Sequence, residues 1–134
     1  MSESSRLSTL LVGSSVFATI FIGFGVNAIL RPDNALTFFE FAPPLAPADK
    51  TLVKYLMTVY GVRDIFMGLA MIAAAWAREA KTLGWICVAA SMVAFADGAV
   101  CWHAGKGEWG HWSYAPMLTI IGSLLIGRSA RPGA

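Results

Sequence analysis

Charge is scarce in this chain. Of its 134 residues only 13% are Asp, Glu, Lys or Arg, against 57% hydrophobic, and the mean hydropathy is +0.63, outside the balance of an ordinary soluble domain, in which about a quarter of residues are charged. The ten basic residues are scattered, which excludes a nucleic-acid face built on a basic stripe. Cysteine is rarer still. Cys87 and Cys101 lie 14 residues apart in one apolar run, roughly 21 Å at the helical rise, so they cannot pair with each other. Without a Cys-x-x-Cys the chain lacks the motif of a thiol oxidoreductase. No Walker A loop, Rossmann glycine fingerprint or Gly-x-Ser-x-Gly elbow occurs, which removes nucleotide, dinucleotide and α/β-hydrolase chemistry. Internal repeats are lacking too, so a transporter of inverted repeats within one chain is not expected.

What is present is four apolar runs. Leu7 to Leu30 carries no charge for 24 residues, more than the roughly 20 that a bilayer-spanning helix needs, and Arg6 and Arg31 bracket it. It is longer than the h-region of a signal peptide and shows no small-residue cleavage site before Arg31, so it reads as a retained helix. The second run, 51–77, is interrupted by Lys54 and by the pair Arg63–Asp64; the third, 83–103, has Asp97 as its only charge. The fourth, 112–127, is shorter and opens with Pro116 in its first turn, where a missing amide hydrogen is tolerated. The expected fold is all-α: one domain over 1–134, a four-transmembrane-helix bundle embedded as a multi-pass protein in a lipid bilayer. A soluble helical domain would leave such runs without a polar face. With alternating spans, one side carries Arg6, Arg78, Lys81, Arg128 and Arg131. The other carries Arg31, Lys50, Lys54 and Lys106, diluted by Asp33, Glu40, Asp49 and Glu108. The excess of basic residues points to an N-in, C-in orientation.

Ionisable residues inside a bilayer are costly, and they pair or line a pathway. Span 2 starts on the outer side, so Arg63 lies about 18 Å along it, and Asp97 about 9 Å below the outer end of span 3. Asn27, Tyr60, Arg63, Asp64, Asp97, His103 and His111 therefore gather between the bilayer centre and the outer surface, as the lining of one outward-facing polar cavity. Tyr60, Arg63 and Asp64 share a helix face at i, i+3 and i, i+4. Ala90, Ala94 and Gly98 form a small-residue ridge for close helix packing, with Asp97 beside it. Two carboxyls and one guanidinium leave one acid without a counter-charge, and desolvation favours its neutral form. On this count Arg63 pairs with one aspartate while Asp97 keeps a proton to donate. The plainer reading is an Arg–Asp network that only ties spans 2 and 3 together.

Trp102, Trp109, Trp112 and Tyr114 collect at one membrane boundary and fit an interfacial belt; stacking on a ligand is the other reading. Phe38, Phe39, Glu40 and Phe41, followed by Pro43, Pro44 and Pro47, cannot span. They either cover the outer mouth and admit an apolar ligand or anchor a loop. A metal is not expected: there is no Glu-x-x-His pair for a di-iron bundle, and the two histidines lack a metal-ligand spacing.

The run Tyr60-Gly61-Val62-Arg63-Asp64-Ile65-Phe66-Met67-Gly68, with Gly23-Phe24-Gly25-Val26-Asn27 before it, Phe95-Ala96-Asp97-Gly98 behind it and His111 at the last helix, resembles a family of small four-helix integral membrane proteins catalogued as a domain of unknown function. The resemblance covers nearly the whole chain. It implies the four-helix fold and these site residues, and an outline similar to small membrane families that act on quinones, anthrones or polyketides. Two functions follow as expectations. One is a cofactor-independent acid–base enzyme, an isomerase, cyclase or epoxide-opening catalyst for a lipophilic small molecule. In it Asp97 donates a proton, Asp64 held by Arg63 accepts one, and Asn27, Tyr60, His103, His111 and Trp112 hold the substrate. The other is a non-catalytic membrane module, a lipid or ligand carrier or a homo-oligomer subunit.

Overall fold

The computed structural model describes residues 3–129. It contains α1 (Glu3–Leu30), α2 (Pro32–Thr37), α3 (Pro47–Trp76), α4 (Ala80–His103), α5 (Trp109–Trp112) and α6 (Ala115–Ser129), with no strand among the described residues. The all-α class is as expected. Arg131, one of the charges used for orientation, lies outside the described residues.

By length and composition, α1, α3 and α4 are each able to cross a bilayer, which is the character of a multi-pass membrane protein. The fourth run differs from the expected helix over 112–127. It breaks at Ser113–Tyr114 into α5 and the 15-residue α6, which rises only about 22 Å and is shorter than a full span. Pro116 is the reason: it has no N–H for the Trp112 carbonyl, and its ring crowds that carbonyl in a continuous helix. The turn between α3 and α4 is also shorter than the expected 78–82. Arg78 adopts a left-handed φ of 57°, its N–H bonds to the Ala75 carbonyl at 3.1 Å and that of Glu79 to Ala74 at 3.0 Å. This Schellman closure ends α3 and lets α4 begin at Ala80.

Neighbouring helices run antiparallel. A Cβ placed on Gly25 or on Gly61 would lie 2.5 Å from the other's carbonyl oxygen, and one on Gly68 2.5 Å from that of Ala18. Residues 18 and 25 thus face 68 and 61, with the direction reversed. The same inversion relates α4 to α6, where Gly84 meets Gly122 and the Thr119 hydroxyl donates to that of Ser91 at 3.0 Å. α1 meets α6 with Gly13 near Ile121 and Phe21 near Tyr114. The ends of α1 and α6 that carry residues 3 and 129 therefore share one end of the molecule, the proximal end, with the α3–α4 turn. Inside a bilayer, apolar burial between helices supplies little drive, and close backbone approach at glycine gains van der Waals contact instead.

The outward face is apolar. Leu52, Tyr55, Leu56, Val59, Val62, Phe66 and Leu69 recur every three or four residues along α3, and all are exposed, the reverse of a water-soluble helix. The interior has two apolar layers. A proximal one holds Ala18, Phe21, Met67, Met71, Leu83, Cys87, Leu118 and Leu125. A distal one holds Ala28, Ala35, Leu36 and Met57, with Phe39, Phe41, Val53 and Tyr60 packed on it. Through Ala35 and Leu36, α2 folds over the distal ends of α1 and α3 as a cover. Between the two layers, near Tyr60 and Asp64, the interior turns polar.

Candidate functional site

Arg63 projects from α3 toward α4, and every nitrogen of its guanidinium is engaged. Nη1 donates to Asp97 Oδ1 at 3.1 Å and Nη2 to Asp97 Oδ2 at 2.8 Å, a bidentate fork across the two helices. Nε and Nη2 also donate to Asp64 Oδ1, at 3.3 and 3.2 Å. The guanidinium carbon lies 4.3 Å from the centroid of the Tyr60 ring, a cation–π contact. The α3–α4 pairing expected from helix direction is therefore present, but its partners fall the other way from the charge count. Asp97 takes the bidentate fork, while Asp64 accepts on one oxygen only. The side chain of Asp64 is also the more buried, 3% exposed against 16% for Asp97. The carboxyl left over by the charge balance is that of Asp64.

Asp64 borders a cavity of about 70 Å³ that is also lined by Phe24, Phe38, Tyr60, Gly110, His111 and Tyr114. His111 is 4% exposed, and both of its ring nitrogens are buried without a hydrogen-bond partner. Its position follows from its neighbour. Trp112 donates from Nε1 to the Phe95 carbonyl at 3.1 Å, and its indole lies where a side chain on Gly98 would otherwise be. That anchor fixes the single turn of α5 against α4 and leaves His111 turned inward. The imidazole packs 4.8 Å from the Phe39 ring and 6.4 Å from that of Tyr114. Burial lowers the pKa of His111 below the ordinary histidine value; Asp97 pulls it up and Arg63 pushes it down, each by less. Burial thus favours the neutral ring, which has one donor and one acceptor. The aromatic rim is formed by Phe24 and Phe38, edge to face at 4.9 Å, and Phe38 is 47% exposed. Of the Phe38–Phe41 stretch, Phe38 lines the cavity and Phe39 packs on Phe41, Tyr60 and His111.

Several expected lining residues stand elsewhere. Asn27 donates to the Asn34 side chain at 3.0 Å and ties α1 to α2. His103 ends α4 and is exposed. Trp112 anchors α5 from outside the cavity. Tyr114, expected in the aromatic belt, is half-buried with its ring near Phe17, Phe21 and His111, and it lines the cavity with Phe24. Its spacing of three from His111, one helical turn, was the available signal. Among the described residues no three of His, Cys, Asp and Glu gather in a group able to hold a metal ion. Cys87 and Cys101 are buried free thiols.

Comparison with curated proteins and with solved structures gave no match. A family model described as Domain of unknown function (DUF4267) matches residues 18–125. That stretch holds the Arg63–Asp64–Asp97 cluster and every residue lining the cavity. The chain belongs to this family.

Proposed function

We propose that this chain is a four-span integral membrane protein with both termini on the cytoplasmic side, and that its distal cavity performs acid–base chemistry on the polar end of a lipophilic small molecule. The observation that carries the reading is His111, a residue of the cavity wall whose two ring nitrogens are buried with no hydrogen-bond partner. Each such group costs about 1–3 kcal/mol, a cost that serves no purpose in the fold and is relieved by an occupant that accepts and donates hydrogen bonds. At about 70 Å³ the cavity is far below the roughly 300 Å³ of a pocket that encloses a whole ligand. It suits a single carbonyl, hydroxyl or epoxide group, with the apolar remainder leaving past Phe24 and Phe38 toward lipid.

In this scheme Asp64 is the proton donor and His111 the acceptor. Asp64 gives its proton to a carbonyl or epoxide oxygen, and His111 takes one from an adjacent carbon or from an attacking hydroxyl. The two transfers balance, so the step consumes no oxidant or reductant and needs no cofactor. The Tyr60 and Tyr114 hydroxyls orient the oxygen, and the Arg63–Asp97 fork holds Asp64 in place. An isomerase, cyclase or epoxide-opening enzyme fits this balance.

The alternative, a carrier or a homo-oligomer subunit without catalysis, is favoured by one feature: the Arg63–Asp97 fork is closed and bridges α3 and α4, as a structural network does. An untargeted comparison of apolar extracts from membranes carrying the wild type, Asp64→Asn or His111→Phe distinguishes the two. The enzyme reading expects a pair of isomers, or of compounds differing by the elements of water, whose ratio shifts with wild type and returns with either folded variant. Identical extracts from all three would support the non-catalytic reading.

A further inference from the structure

The cavity beside Asp64 carries a charge imbalance that selects what can occupy it. The fork between Arg63 and Asp97 is closed on both carboxylate oxygens and is neutral as a pair. Asp64 shares the same guanidinium through Oδ1 alone, so as a carboxylate it adds a negative charge to a site with no second cation. No Lys or Arg lines the cavity, and burial favours the neutral form of His111. A buried charge without a counter-charge is costly. A neutral oxygen compound in the cavity meets that cost only while Asp64 is protonated. An ammonium group meets it by supplying the missing positive charge, with Asp64 as the carboxylate.

The rest of the wall suits the ammonium group. Phe24, Phe38, Tyr60 and Tyr114 make up most of the lining, the composition of the aromatic cages that receive ammonium ligands. Tyr60 already takes a cation in this way, with the Arg63 guanidinium carbon 4.3 Å from its ring centroid. His111 adds an acceptor, because both ring nitrogens are buried without a partner and a neutral imidazole keeps one lone pair for an N–H of the ligand. The backbone offers nothing to an anion here, since the Gly110 N–H is bonded to the Gly107 carbonyl at 3.2 Å. A bare metal cation is poorly served: hard cations take about six or more oxygen ligands, and among the described residues no three of His, Cys, Asp and Glu gather. At about 70 Å³ the cavity has room only for a compact head. A phosphatidylethanolamine does not fit the chemistry, because its phosphate would follow the nitrogen toward a wall without a cation. We propose that the cavity binds the ammonium head of a single-chain lipophilic amine, its nitrogen between Asp64 and His111 and its chain leaving past Phe24 and Phe38. This deepens the proposed function and rests on its reading of the cavity as a ligand site, not on the reaction. An ammonium held against the Asp64 carboxylate is the charge arrangement that follows proton transfer from Asp64 to a substrate.

The test is isothermal titration calorimetry of the full chain in nanodiscs of dioleoylphosphatidylcholine, with the heat of empty nanodiscs subtracted. Dodecylamine is compared with dodecanol, which has the same chain and a neutral hydrogen-bonding head. One saturable amine site is expected, with an affinity about tenfold or more above that for the alcohol. Asp64→Asn removes the preference, so that the two ligands bind alike. Phe24→Leu keeps an apolar side chain at the rim, removes its ring and weakens the amine roughly fivefold, the effect of one cation–π contact, so the result does not rest on the aspartate variant alone. Glu40→Gln with Glu108→Gln, acidic residues outside the cavity wall, leaves both affinities unchanged. Equal saturable binding of amine and alcohol overturns the ammonium inference and leaves the ligand-site reading standing. An amine preference that survives in the folded Asp64→Asn protein overturns the inference as well, and the absence of saturable binding by either compound overturns both.

Discussion

Replacing His111 by phenylalanine is expected to stabilise the protein while abolishing its activity. The imidazole is 4% exposed, and its two nitrogens lack partners, at a cost of about 1–3 kcal/mol for each unsatisfied group. The cavity of about 70 Å³ has room for water, which returns part of that cost. A phenyl ring needs no partner, keeps the contact with Phe39 now made at 4.8 Å, and takes its extra volume from the cavity. The net gain is about 1–2 kcal/mol, or a Tm higher by roughly 5 °C for a chain of this length. The acid limb gives an independent sign. Burial lowers the folded-state pKa of His111 below its ordinary 6.5, so on acidification the unfolded chain binds the proton first. The contribution is whole above about pH 6.5 and is lost as pH falls below it. Reversible unfolding in detergent, followed by tryptophan fluorescence at neutral and mildly acidic pH, measures both effects. The wild type loses stability across that window and His111→Phe does not. Destabilisation of the variant by 1 kcal/mol or more, taking about 1 kcal/mol as the size of one net hydrogen bond, would refute the reasoning, because the imidazole would then be holding the fold together.

Four further substitutions test the frame of the bundle. Arg63→Gln strips Asp97 of its bidentate partner across α3 and α4 and should cost about 3–5 kcal/mol in the same unfolding assay, whereas Asp64→Asn, which keeps an oxygen for Arg63, should cost about 1 kcal/mol or less. Gly61→Ala drives a methyl group to 2.5 Å from the Gly25 carbonyl oxygen, and overpacking of that size should cost about 1–3 kcal/mol, read as a lower Tm. Arg78→Gly relieves a left-handed φ of 57° and should raise stability by about 1 kcal/mol, seen as slower hydrogen exchange in the α3–α4 turn.

Helix direction and charge depth made a shared Arg–Asp cluster between spans 2 and 3 legible in the sequence, because charges on two adjacent antiparallel spans have few other places to go. Which aspartate takes the fork was not legible, since it depends on how the Arg63 side chain leaves α3, a choice made by packing on Tyr60. The two histidines looked equivalent in sequence. The turn between them, with Gly105 at φ 81° and Gly107 at φ 85°, turns the chain back under the Phe39 carbonyl, so that His111 ends inside and His103 outside. Tyr114 was hidden by its company: three nearby tryptophans read as a boundary belt, and one of them, Trp112, is in fact the strut that seats α5. The break before α6 was visible in Pro116. Asn27 looked like a pocket residue because its partner, Asn34, comes from a connecting segment whose fold no periodicity announces.

The central claim is that the cavity receives the polar end of a lipophilic molecule between Asp64 and His111. An experimental structure of the protein purified with its native lipids retained tests it most directly. The account predicts an elongated apolar density entering past Phe24 and Phe38 and ending in a polar atom within hydrogen-bond distance of a His111 nitrogen and an Asp64 oxygen. A cavity holding only ordered water bonded to His111, with Phe24 and Phe38 closed over it, would contradict it.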